Sequence, residues 1–277
     1  MANSQKAAPA KKQGFQGVRN AIWIIVLCFI AGVCFYQFVL GNPSNFQGGD
    51  NANAPLPGNL LGTIYKGGIV VPVIITLLFT AIALSVERSL ALGTANGKGK
   101  LAKFVAEVKG ALAAGDIDKA QQLCDKQQGV VGNVVTASLK AYKEMEATSG
   151  LKKEQKVSKI QQAHEEAVQL EMPTLQMNMP ILATLVTLGT LTALFGTVVG
   201  MIKSFAALAA GGGGDSLELS TGISEALVNT ASGILTSWVA VIAYNYYSNK
   251  IDKLTFSLDE VGYTISKTYE ANHTEEA

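Results

Sequence analysis

Four stretches of this chain carry no charged side chain: Ala21 to Gln47, Gly67 to Val86, Met172 to Ile202 and Ala226 to Asn249, each holding a dense apolar run. A helix rises about 1.5 Å per residue and the hydrocarbon layer is about 30 Å thick, so roughly 20 such residues cross it. All four runs qualify. The pattern predicts an all-α integral membrane protein with four transmembrane helices and a helical cytoplasmic domain. Bulk composition would not have led there: 277 residues with 48% apolar side chains, 16% charged and a net charge of +1 also fit one or two soluble domains. Distribution along the chain decides, and the near-neutral balance gives no reason to expect a nucleic-acid partner.

Charge between the runs sets the expected orientation. Lys6, Lys11, Lys12 and Arg19 precede the first run with no acid among them, which by the positive-inside rule puts the N-terminus in the cytoplasm. A basic start is also how a secretory signal begins. The apolar run is about 20 residues rather than the usual 7 to 15, and no Ala-x-Ala-like site closes it before Pro43, so a retained span is expected. An Asn-, Gly- and Pro-rich outer loop follows, and the second run returns inward and ends at Glu87-Arg88. Residues 93–175, with twelve lysines and ten acids, then fall in the cytoplasm. The organisation is a cytoplasmic tail 1–20, two spans in 21–92 with outer loop 41–66, a cytoplasmic helical domain 93–175, a channel-type hairpin 176–249 and a cytoplasmic helical tail 250–277.

Local signals refine this. Gly115-Asp116 reads as a stop followed by an N-cap, because the carboxylate can accept from the free N–H groups of the next helix. Gly129, Gly132 and Gly150 mark further breaks. After Lys250 the charges alternate with Ile251, Leu254, Phe256, Leu258 and Val261, as in an amphipathic helix continuing the fourth span. Tyr244, Tyr246 and Tyr247 fit an aromatic belt at its exit. Cys28, Cys34 and Cys124 offer no even disulfide framework. His164 and His273 lack ligand-spaced partners, so neither a metal nor a cofactor is expected, and His164-Glu165-Glu166 reads as a solvated helix face. Gly211 to Gly214 have no following Lys-Ser/Thr and fail as a phosphate loop, leaving a flexible connection.

The third and fourth runs differ from simple lipid anchors. Gly189, Ala193, Gly196 and Gly200 recur at helical spacing amid six hydroxyl residues, including Thr187, Thr190 and Thr197. The fourth run has a small stripe, Ala226, Thr230, Gly233, Ser237 and Ala240, beside a polar one, Glu225, Asn229, Ser232 and Thr236. Such faces serve close helix packing or a narrow polar path. Glu225 is the one charged residue between Glu218 and Lys250, and a carboxylate inside a membrane is by default a functional hypothesis. Counting back from the tyrosines, however, puts it about 30 Å away, near the outer edge of the hydrocarbon. An interfacial Glu at a helix start, or a structural pair with Lys203 at matching depth, are the alternatives.

The segments Leu194-Phe195-Gly196-Thr197-Val198-Val199-Gly200-Met201 and Gly222-Ile223-Ser224-Glu225-Ala226-Leu227 resemble the ExbB/TolQ/MotA family over about residues 180 to 250. Gly115 to Ala120 with Cys124 and, weakly, Glu87-Arg88 are similar as well. The resemblance implies no enzyme and no catalytic residue, but a bacterial inner-membrane, multi-pass, proton-conducting motor subunit with both termini cytoplasmic. It implies a homopentamer around a dimer of an ExbD-like single-span partner whose aspartate carries the protons, acting on a TonB-like protein. By the same resemblance the family glutamate maps to Glu225 and a pore threonine to Thr230. A second pore threonine precedes an Ala-Pro pair in ExbB and TolQ. Here those positions hold Leu188, Gly189 and Thr190, so Thr187 or Thr190 would supply the hydroxyl, and the additional N-terminal span also departs from the three-span plan. ExbB is the nearest likeness; a TolQ-like envelope-maintenance motor, a non-conducting scaffold and a stand-alone channel are the rival readings.

Overall fold

A computed structural model describes residues 17, 18, 20–210 and 216–273 of the chain. Lys6, Lys11, Lys12, Arg19 and the run Gly211 to Asp215 lie outside the described residues. Helices α1 (Ala21–Cys34), α2 (Leu60–Tyr65), α3 (Val71–Ala95), α4 (Leu101–Ala113), α5 (Ile117–Gln127), α6 (Gly129–Ala147), α7 (Lys153–Leu175), α8 (Met179–Ala210) and α9 (Ser216–Asn272) follow in order, with no strand among the described residues. Four segments are long and apolar enough to cross a membrane: Ala21–Leu40, Gly68–Ala95, Met179–Ala209 and a part of Glu218–Asn272. The protein is an all-α integral membrane protein, and its contacts divide it into two compact units.

The membrane unit comprises Val18–Glu87 and Asn178–Tyr247. Helix α1 exposes Ile22, Trp23, Leu27 and Phe29, and ends in one wider turn, Phe35–Leu40. Its Gly32 lies so close to α3 that a Cβ there would come within 2.8 Å of Thr76 Oγ1. Leu40, Val71 and Ile75 form a small core with Phe35, Tyr36, Ile64, Tyr65 and Phe79 around it. The loop between the first two candidate spans is folded rather than merely turn-rich. Asn45 donates to Val39 O and Leu40 O at 2.9 and 3.0 Å, Phe46 pairs with Pro55, and Lys66 Nζ donates to Asn51 O and Ala52 O, both at 2.9 Å. Satisfied backbone carbonyls explain this order in a segment too polar for an apolar core.

The second unit gathers Arg88–Met177 with the chain from Ser248 onward. Phe104, Val108 and Leu112 of α4, Val134, Val135 and Leu139 of α6 and Ile160 of α7 are buried there. The tail of α9 adds Ile251, Leu254, Leu258, Val261, Ile265 and Tyr269, a stripe at three- and four-residue steps. Helix α9, 57 residues long, thus supplies both a span of the membrane unit and this tail. Asp116 caps α5, its side chain accepting from Lys119 N at 2.8 Å.

Three local expectations need correction, concerning Gly132, Phe256 and His164. Helix α3 continues past Glu87-Arg88 to Ala95. Both charged residues are buried: Glu87 accepts from Val18 N at 2.8 Å within the membrane unit, and Arg88 donates to Leu175 O at 3.4 Å within the second. Gly132 is no break; it lies inside α6, where a Cβ would come within 2.8 Å of Cys124 O, so it permits close approach to α5. Phe256 is 71% exposed and does not share the buried stripe of the α9 tail. His164 is no solvated face residue. It is buried, with Nδ1 2.8 Å from Ser138 Oγ and its ring against Gly262, because a stripe of α7 packs inward that the flanking glutamates conceal in the sequence.

Candidate ion-handling site in the membrane hairpin

Close approach of α8 and α9 builds this site, and glycine makes the approach possible. A Cβ at Gly200 would lie 2.7 Å from Gly222 O and 2.8 Å from Ala226 N, and one at Gly189 would lie 2.5 Å from Ser237 Oγ and 3.1 Å from Gly233 O. At Gly233 a Cβ would meet Gly189 O at 2.7 Å, and at Gly196 the Asn229 side chain at 2.6 Å. Gly189, Gly196, Gly200 and Gly233 thus all lie in one seam, where small side chains let two backbones pack without a methyl layer between them.

Polar groups line the same seam. Lys203 Nζ reaches both oxygens of Glu225, at 2.7 and 2.9 Å. The residue Glu225 is 5% exposed, whereas the Lys203 side chain is 53% exposed. Further along, Thr197 Oγ1 meets Thr230 Oγ1 at 2.5 Å, while the two also reach Ala193 O at 3.0 Å and Ala226 O at 2.9 Å. Two hydroxyl protons serve three contacts, so one carbonyl gives up its donor whenever the hydroxyls bond each other. Thr190 Oγ1 is 3.0 Å from Ser237 Oγ, which reaches Val186 O at 2.8 Å. From Glu225 to Ser237 is twelve residues, about 18 Å along α9. The seam therefore carries a buried carboxylate, its ammonium partner and two hydroxyl pairs in file.

Of the residues picked out in the sequence, Glu225 and Lys203 come together, Thr230 finds Thr197, and Thr190 finds Ser237. Thr187 is exposed and stands apart from these pairs. Protein itself buries Glu225. The turn Gly67-Gly68 ahead of α3 covers it: a Cβ at Gly68 would come within 2.8 Å of Glu225 Cδ and closer still to Oε1. Asn229, wholly buried, donates from Nδ2 to Gly67 O at 2.9 Å. The sequence reading had no role for this turn. Its signal was there in two adjacent glycines before a span, one of them, Gly68, at φ +80, a backbone region that L residues rarely adopt.

Chemically, one carboxylate shielded from water and one half-exposed ammonium make a site where charge can be exchanged but is costly to leave unpaired. Hydroxyl groups such as those beside it are able to hydrate a proton or ion within a membrane.

Residues 127–260 match the model of the MotA/TolQ/ExbB proton channel family. The chain is 31% identical over 124 residues to the Tol-Pal system protein TolQ of Pseudomonas aeruginosa, a match covering 45% of this chain and 54% of that one. It is 27% identical over 142 residues to TolQ of Haemophilus influenzae, covering 50% and 62%. An ExbB-like biopolymer transport protein of Synechocystis sp. is 40% identical over 67 residues, 23% of this chain and 26% of its own. The matched region thus spans little more than half of the TolQ relatives' length.

Proposed function

Since this chain belongs over residues 127–260 to the MotA/TolQ/ExbB proton channel family, we propose that it is the ion-conducting subunit of a membrane motor driven by proton-motive force. It resides in the bacterial inner membrane with both termini in the cytoplasm. Five copies surround an ExbD-like single-span partner and drive a TonB-like protein in outer-membrane uptake; the role is transport, not enzymatic turnover. The observation that carries this reading is the Glu225–Lys203 pair, buried on the carboxylate side and followed by hydroxyl pairs along the same seam. One charge moving through 100 mV releases about 2.3 kcal/mol, so several protons suffice for a mechanical step of ordinary conformational size. Outward-facing Leu194, Phe195, Val198, Ile202, Trp238 and Ile242 give α8 and α9 apolar surface for lipid and for neighbouring copies.

A second reading has its own support. The two TolQ relatives match over 124 and 142 residues against 67 for the ExbB-like one, which favours an envelope-maintenance motor of Tol type as the runner-up. One experiment addresses both. Cells carrying Glu225→Gln are assayed for receptor-dependent uptake and for detergent sensitivity, with assembly checked in parallel. Loss of uptake with assembly intact supports the first reading, and detergent sensitivity with uptake intact supports the second. If neither function changes, Glu225 handles no ion and the protein is a scaffold.

A further inference from the structure

Glu225 and its neighbour one turn on, Asn229, share a face of α9, since residues four apart on a helix are adjacent. Three backbone features converge on this pair. Asn229 is 0% exposed and its carboxamide donates to Gly67 O, 162 residues away in the chain. Gly68, the next residue, stands where any Cβ would strike the Glu225 carboxyl. From α8, Gly196 leaves only enough room for the carboxamide, because a Cβ there would lie 2.6 Å from Asn229 Cβ and 2.7 Å from Cγ. The other carboxamide atom, Oδ1, is buried with no hydrogen-bond partner.

An amide placed this way is expensive. One acceptor goes unsatisfied in a region where an apolar residue of similar shape would lose nothing. What the donor secures in return is position, because it ties α9 to a turn whose backbone forms one wall of the carboxylate's pocket. Lys203 is not suited to that task. Its side chain is 53% exposed, and a long flexible stem supplies charge rather than a fixed coordinate.

We propose that Asn229 is a positioning residue, which holds the Glu225 carboxylate in register by fastening α9 to the Gly67-Gly68 turn. The geometry stands independently; its consequence for transport rests on the reading of Glu225 as the ion-handling group. Misplacing a reacting group by about 1 Å is enough to cost about 100-fold in rate, so a tether of this kind governs function without touching the ion.

The test uses the full chain reconstituted in lipid, with a hydrophobic carbodiimide as probe and the fraction of Glu225 modified read by mass spectrometry over time. Asn229→Leu keeps the approximate shape but has nothing to donate, Asn229→Ala removes both, and Gly68→Ala pushes on the carboxyl from the turn. Each is expected to raise the labelling rate about tenfold, the scale set by one net hydrogen bond. The double variant Asn229→Ala with Gly68→Ala is expected to raise it by less than the product of the two single effects, because both act on the junction of α9 with one turn. Gly110→Ala, which adds a methyl in open space on α4, is expected to label at the wild-type rate. Wild-type rates in both Asn229 variants would overturn the proposal, as would a change in Asn229→Ala alone, which would leave shape and not donation as the cause. Should Asn229→Leu fail to fold, Asn229→Met, equally without a donor, takes its place and is read in the same way. The Glu225→Gln strain separates the two ideas: if uptake and detergent resistance both survive there while labelling shifts in the Asn229 variants, the motor reading fails and the positioning role stands.

Discussion

Gly262→Ala is a small change with a worked sign. Gly262 is buried in the tail of α9, where an added Cβ would lie 2.6 Å from His164 Cε1 and closer still to Nε2 and Cδ2. The ring cannot simply rotate away, because its Nδ1 is held at 2.8 Å from Ser138 Oγ. Three effects compete. Alanine in a helix interior gains about 1 kcal/mol over glycine; losing the His164–Ser138 bond costs about 0.5–1.5 kcal/mol; overpacking costs about 1–3 kcal/mol. Repulsion wins by about 2 kcal/mol, since the two costs together exceed the gain in helix propensity. Gly110→Ala in α4 isolates the favourable contribution, because nothing lies within 4 Å of a Cβ there, and it is expected to stabilise by roughly 0.8 kcal/mol. The assay is hydrogen exchange of α7 and the α9 tail in the detergent-solubilised full chain, with proteolysis as a second readout. Adding His164→Ala to Gly262→Ala is expected to recover part of the loss, because the vacated ring volume takes the methyl. A Gly262→Ala protein as protected as wild type, or gaining like Gly110→Ala, would refute the reasoning.

Burial, against smaller opposing effects of Asp259 and Glu165, holds the His164 pKa below its ordinary 6.5. Between the folded value and about 6.5 the unfolded chain binds more protons, so this stabilisation is full above about 6.5 and is lost as pH falls toward the folded value. Exchange protection of α7 should fall across that window in wild type and not in His164→Phe. Asp116→Ala removes the cap on Lys119 N and should cost about 1 kcal/mol, read as faster exchange in the first turn of α5. Gly200→Val places branched carbons where a single Cβ is already within 2.8 Å of α9 backbone, so cysteine cross-linking across the α8–α9 seam should weaken, while Gly93→Ala, with open space around it, leaves it unchanged. Lys203→Met strips the buried Glu225 of two charge-assisted bonds and should cost about 2 kcal/mol in thermal stability of the assembled protein.

Some of this was legible in the sequence for identifiable reasons. Asp116 could be read as a cap because a helix start is decided by residues within one turn of it. The continuous α9 could be read because its apolar spacing persists past Lys250. That Glu87 and Arg88 are buried by backbone partners could not be read, because Val18 and Leu175 lie far from them in the chain. His164 misled because its neighbours Glu165 and Glu166 are solvent-facing while its own side of α7 turns inward.

The sequence by itself determined that four helices are apolar enough to cross a membrane and that the last two carry small and polar faces fit to pack closely. These properties sum over neighbouring residues, as transfer energies and helical periodicity do. Only the tertiary structure decided what those faces meet. Glu225 is buried because a glycine turn 157 positions earlier has no side chain to keep α9 away, Lys203 joins it from α8, and Thr190 rather than Thr187 reaches a hydroxyl across the seam. No local pattern encodes such pairs. Side chains far apart in the chain meet only after the helices have chosen their packing, and that choice rests on the fit of whole surfaces.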